Sequence, residues 1–153
     1  MTMETKEKPF NFFRFEDLRI YHKALDYIKW VYAAVADFPE NEREELGTAF
    51  VKASTNIAVF IAEGSGRNKS QFIYYLKMAK SSVRECVVLS TIAHQNGLLS
   101  IEKDEESRFF LIEISKMVGA LISSLQRSKR PDEDGDDDDV PGEVSPSNDP
   151  NTY

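Results

Sequence analysis

Ile61-Ala62-Glu63-Gly64-Ser65-Gly66-Arg67-Asn68-Lys69 is the stretch that decides the fold. An apolar segment ends in it, two glycines interrupt it, and a basic segment follows. Gly64 and Gly66 can take φ > 0 at little cost, so a helix can stop and reverse within a few residues. Asn68 and Gln71 have capping-box spacing: the Asn side chain accepts the amide three residues on, and Gln can reach back. The stretch reads as a helix stop, a tight turn and a helix start. Two roles fit it. One is a helical hairpin with two loop cations. The other is an anion site made of Arg67, Lys69 and the free amides at the helix start.

Outward from this turn, apolar periodicity predicts two helices on each side. The first spans about Glu16–Asp37, with Leu18, Tyr21, Ala24, Leu25, Ile28, Val31, Tyr32 and Val35 on one stripe, and ends before Pro39. The second starts near Asn41, where Asn41 and Glu44 have capping-box spacing, and runs to Glu63. Its core stripe is Leu46, Phe50, Ala53, Ile57, Phe60 and Ile61. A second stripe, Gly47, Val51, Ser54, Ala58 and Ala62, consists mostly of small residues that let another helix approach closely. It serves either dense packing within one bundle or an oligomer interface, and the short helical length favours the interface. The third helix spans about Lys69–Asn96 and closes at Asn96-Gly97. The fourth runs from Ser100 or Ile101 to Arg127, with Phe110, Ile114, Met117, Val118, Leu121 and Leu125 as its stripe. Acidic residues at its start and basic ones at its end complement the helix dipole. Short turns make successive helices antiparallel. The expected fold is all-α, an up-down-up-down four-helix bundle.

The chain has 153 residues and a net charge of −7, distributed unevenly. Residues 131–153 hold nine acidic groups and no Lys or Arg, which leaves 19 basic against 17 acidic groups in residues 1–130. Expected organisation is a flexible lead over 1–14, the bundle over 15–130, and a disordered acidic tail over 131–153 that cannot bury enough apolar surface to offset its ordering. No 18-residue run is uninterruptedly apolar, so no membrane span is expected. The first residues lack the apolar core of a secretory signal, and the single Cys86 suits a reducing, cytoplasmic compartment.

Chemistry-bearing constellations are sparse. Cys86, His22 and His94 lack metal-ligand spacing, so no metal and no cofactor are expected. Arg84 and His94 are too far apart to act as an Arg/His ribonuclease pair. There is no Ser-His-Asp set, phosphate loop or paired Glu-x-x-His, and no enzyme is expected. The one charged pattern is cationic. Lys69, Lys77, Lys80 and Arg84 span about 80° of the third helix's circumference, and Gly64–Arg84 contains no acidic residue. With Arg67 this ridge is a candidate contact for the phosphates of RNA or DNA; as a bland alternative it is a solvated helix face or pairs with the acidic tail.

Phe15-Glu16-Asp17-Leu18, Phe38-Pro39, Leu46-Gly47, Asn56-Ile57, the Ala62-Glu63-Gly64-Ser65-Gly66-Arg67 turn, and Phe72, Leu76, Ala79, Ser82 and Glu85 in series carry a resemblance. They resemble the small four-helix-bundle family encoded in intervening sequences of bacterial 23S ribosomal RNA genes, over about residues 15–127. The accessory variability determinant of diversity-generating retroelements shares that fold. The resemblance implies a homopentameric barrel with a nucleic-acid-associated surface, or a partner role beside a reverse transcriptase. Glu63, Gly64, Gly66 and Arg67 would be the family's turn signature, with Glu63 and Arg67 pairing across the turn. The chain departs from that pattern in its weakly basic body and its acidic tail. The leading expectation is a non-catalytic, oligomeric, nucleic-acid-associated bundle. The alternative is a scaffold or accessory subunit for a basic protein partner.

Overall fold

A computed structural model describes residues 12–128. Most of the lead, the acidic tail, and Lys129 and Arg130 lie outside the described residues. The chain forms four long helices: α1 (Arg19–Ala36), α2 (Thr48–Ser65), α3 (Lys69–Gln95) and α4 (Ile101–Arg127). Each packs on the next, α4 closes on α1, and the α2–α3 seam is the most extensive. The fold is all-α, and this closed order of neighbours is that of an up-down-up-down bundle.

Local chemistry sets most of the boundaries. Asn68 caps α3, its Oδ1 accepting the Gln71 amide at 2.8 Å. Ser100 caps α4, its Oγ accepting the Lys103 amide at 3.1 Å. Gly97 adopts φ +78°, the left-handed conformation that glycine tolerates best, just past the end of α3.

Two starts differ from the sequence reading. Residues 14–17 form a 3-10 turn, and Leu18 is extended (φ −85°, ψ 129°), so α1 begins at Arg19 rather than Glu16. The expected cap at Asn41 does not form. Pro39 instead precedes a short α segment, Glu40–Glu42, which continues through a π-helical turn, Arg43–Gly47, into α2. Pro39 takes the N-cap position with an extended backbone (φ −60°, ψ 156°), so the helix starts at Glu40, ahead of the expected cap.

The core contains Ala24, Tyr27 and Val31 of α1; Phe50, Ile57 and Ile61 of α2; Leu76, Ala79 and Cys86 of α3; and Leu111, Ile114 and Val118 of α4. The α1 stripe is rotated from the one expected. Ile20, Tyr27 and Ala34 are buried, whereas Leu25 and Tyr32 are exposed. A long-range zipper with α4 fixes this orientation. The Tyr27 hydroxyl meets Ser107 Oγ at 2.7 Å in the core, Trp30 Nε1 donates to Glu106 Oε1 at 2.9 Å, and Lys23 pairs with Glu113 at 2.8 Å. On α4, Leu111 and Ile122 likewise join the core beyond the expected stripe.

Of the small-residue stripe on α2, Gly47, Ser54 and Ala58 are buried within the chain itself, while Val51 and Ala62 remain half-buried. A Cβ on Gly47 would lie 2.6 Å from Val35 Cγ1, so the close approach that this glycine permits is to α1. Packing within one bundle accounts for these three positions.

Burial also sets two acid–base properties. The Cys86 thiol is pushed up to about 12 by burial, and the Tyr27 hydroxyl beside it is raised for the same first reason. Above about pH 9, the ordinary thiol value, the unfolded chain releases a proton that the folded chain retains. Stability is therefore full below pH 9 and falls as pH rises toward 12, by up to about 1.4 kcal/mol per pH unit for each such group. Urea unfolding across this range is expected to show the decline, with a shallower slope in Cys86→Ala.

Candidate nucleic-acid interface

The α2–α3 turn is built from side-chain contacts rather than backbone reversal. Neither Gly64 nor Gly66 has positive φ: Gly64 is helical and buried, and Gly66 sits at φ −94°, ψ 10°. Gly64 is needed for space, since a Cβ there would meet Tyr75 Cβ at 2.6 Å and Phe72 Cδ1 at 3.0 Å. Glu63 and Arg67 pair across the turn at 2.5 Å, and the Arg67 guanidinium lies 5.1 Å from the centre of the Tyr75 ring. Arg67 thus bridges Glu63 and Tyr75 across the turn while its side chain stays exposed to solvent.

The α3–α4 seam supplies the surface. The two helices run antiparallel with a register fixed at several heights. Ser90 Oγ donates to Asp104 Oδ1 at 2.5 Å, Arg108 donates to Thr91 Oγ1 at 2.7 Å, and Lys69 Nζ donates to the Ser128 carbonyl at 2.5 Å. Lys77 and Arg84 are exposed and Lys80 is partly exposed; among the described residues none of the three has an ion-pair partner. Lys77 and Arg84 are seven residues apart, a separation of about 10 Å along the axis.

The register adds two cations that α3 alone could not reveal. Lys116 comes level with the Lys80–Arg84 stretch, and Arg127 comes level with the start of α3; both are exposed. No acidic residue occurs in α3 before Glu85 or in α4 after Glu113, and Glu113 pairs with Lys23 on the α1 side. One half of the α3–α4 face therefore carries positive charge without local compensation among the described residues. Low-dielectric helix walls and one-sided charge favour accumulation of polyanions there.

Residues 16–120 match the family model described as the 23S rRNA-intervening sequence protein. The chain belongs to this family. The match includes α1 to α3, the turn with its Glu63–Arg67 clamp, and most of α4. Comparison with curated proteins gives no match.

The other half of the α3–α4 face is apolar. Val88 (56% exposed) and Ile92 of α3 share it with Phe109 (65%) and Ile112 (52%) of α4. By length and composition alone α4 is long and apolar enough to cross a membrane. Much of that apolar excess is this outward-facing stripe. On the opposite side of the bundle, α1 and α2 form an open groove of about 520 Å³ walled by Tyr32, Val35 and Val51 and flanked by Arg43 and Lys52. The two histidines stand apart from both surfaces. His22 Nε2 donates to the Glu16 carbonyl at 2.6 Å, and His94 Nδ1 donates to the Leu99 carbonyl at 3.0 Å. Among the described residues no group of His, Cys, Asp and Glu is placed to hold a metal ion.

Proposed function

We propose that the chain is a non-catalytic bundle that binds the backbone of RNA or DNA through the cationic half of its α3–α4 face. The observation that carries this reading is the uncompensated set Lys77, Lys80, Arg84, Lys116 and Arg127 on one surface. Lys69, at the foot of the ridge, belongs to the same surface, while Arg67 supports the turn. Membership of a family named for an rRNA intervening sequence agrees with it. Phosphate contacts of this kind give affinity without sequence readout.

The working form is an oligomer, proposed as a homopentamer in a reducing cytoplasm. An apolar stripe on one side of the bundle and an apolar groove on the other are different surfaces. Different surfaces make a head-to-tail contact, which closes into a ring where the rotation between neighbours completes a full turn, whereas a two-fold dimer uses one surface twice. A ring would repeat the modest cationic patch and gain avidity. The second reading, an accessory subunit for a basic protein such as a reverse transcriptase, is favoured by the acidic run over residues 132–139.

The test compares the full chain with Lys77→Gln/Lys80→Gln/Arg84→Gln on a labelled RNA duplex, with light scattering on both. The parent should bind at low salt and have a mass near five protomers. The triple variant should keep that mass and lose at least about tenfold in affinity. Equal binding by both proteins would overturn the assignment of the face.

A further inference from the structure

The last described residue stands at the foot of the cationic surface. The Ser128 carbonyl accepts from Lys69 Nζ, so the chain leaves α4 beside the first turn of α3. From there Lys77, Lys80 and Arg84 ascend α3, and Arg84 lies about 22 Å along the axis from Lys69. Beyond Ser128 the sequence reaches its acidic run almost at once. Asp132, Glu133, Asp134 and Asp136–Asp139 place seven carboxylates within eight residues, with no intervening cation. An extended segment from 129 to 139 spans up to about 36 Å, more than the length of the surface.

We infer that the segment Asp132–Asp139 docks on the cationic half of the α3–α4 face of its own chain and competes there with external polyanions. Three observations converge on this occupant. The exit point is at the surface, the length suffices to cover it, and the charges are opposite in sign and similar in number. Lys77, Lys80, Arg84, Lys116 and Arg127 are the cations of this surface, and the nearest acidic groups on these helices are Glu85, at the upper end of the ridge, and Glu113, which is engaged by Lys23. A tethered ligand acts at an effective concentration in the millimolar range, so even weak contacts compete with a free polyanion. The docking itself depends only on the face and the segment; its consequence for RNA or DNA rests on the function proposed above. The acidic run then sets a threshold, admitting only a polyanion of higher charge density or a ring-wide contact.

The experiment has two arms on the full chain. In the first, zero-length carbodiimide cross-linking without nucleic acid is mapped by mass spectrometry. Links from Asp132–Asp139 should concentrate on Lys77, Lys80 and Lys116, spare Lys29, Lys52 and Lys103, and disappear at about 500 mM salt. Links spread evenly over all lysines would overturn the docking. In the second arm, Asp132, Asp134 and Asp136–Asp139 are changed to Asn, and Glu133 to Gln. This full-length variant should bind a short RNA duplex at least about tenfold more tightly than the parent at about 50 mM salt, with the two converging near 300 mM. Localised links with no RNA binding by either protein would uphold the docking and remove the nucleic-acid reading. Scattered links with equal RNA binding by both would remove the docking and leave that reading standing.

Discussion

Replacing Asp104 with alanine is expected to lower stability by about 3 kcal/mol, read as a fall in the urea midpoint at unchanged slope. Asp104 is 6% exposed and sits in the first turn of α4. Its Oδ1 accepts from the fully buried Ser90 hydroxyl at 2.5 Å, and its Oδ2 accepts from Arg108 Nε at 3.3 Å. Arg108 in turn donates to Thr91. Removing the carboxylate leaves a buried hydroxyl without its acceptor, breaks the ion pair with the half-exposed Arg108 and loses a favourable charge near a helix N-terminus. Ser90→Ala alone should cost about 1 kcal/mol, and adding it to Asp104→Ala should cost almost nothing more, because the partner is already gone. Additive losses would show that Ser90 and Asp104 do not act as a pair. This network also fixes the α3–α4 register, and through it the alignment of Lys116 with the α3 ridge.

Gly64→Val is the second large effect, with an expected loss of about 3 kcal/mol from overpacking at the closest approach of α2 and α3. The added Cβ would stand 2.6 Å from Tyr75 Cβ and 3.4 Å from Phe72 Cα, atoms that cannot swing aside as a flexible side-chain end can. Even Gly64→Ala should destabilise: the gain of about 1 kcal/mol in helix propensity is smaller than the cost of forcing the helices apart. Gly66→Ala is the control. Nothing lies within 4 Å of its Cβ position and its φ is negative, so stability should change by less than about 0.5 kcal/mol. Chemical denaturation of the three variants separates a packing role for Gly64 from a conformational one. Equal effects at 64 and 66 would contradict the packing account.

These two glycines show what sequence could and could not reveal. The turn, its Asn68 cap and the Glu63–Arg67 pair were legible because each depends on residues within a few positions of one another. That Gly64 serves close packing rather than chain reversal depends on Phe72 and Tyr75 folding back over it, which spacing alone does not state. The inward face of α1 was similarly hidden. Apolar residues cover more than half of that helix, so periodicity admits several orientations. The choice falls to Tyr27 and Ser107, 80 residues apart in sequence. The π-helical turn at Arg43–Gly47 shifts the approach to α2, and no local motif announces it.

The candidate interface divides in the same way. The one-helix pattern of Lys77, Lys80 and Arg84 was visible from helical spacing. Lys116 and Arg127 join it only through the antiparallel register, while Arg67, at its foot, also bonds Glu63. Of the small-residue stripe, Gly47 meets Val35 of the same chain, and Gly47 and Val51 also line the groove beside Tyr32. The apolar surfaces left outward are those around Phe109 and Ile112 and around Tyr32, where core patterning gives way to exposed side chains. These are the surfaces on which the proposed ring depends.

Backbone recognition through this face is tested by the salt dependence of RNA-duplex binding by the full chain and by the Lys77→Gln/Lys80→Gln/Arg84→Gln variant. Each phosphate contact contributes a slope of about −0.9 to log K against log salt. The parent should show a slope of about −3 or steeper, flattened by between about 2 and 3 in the variant. A parent slope near zero, or identical slopes for the two proteins, would contradict backbone recognition through this face.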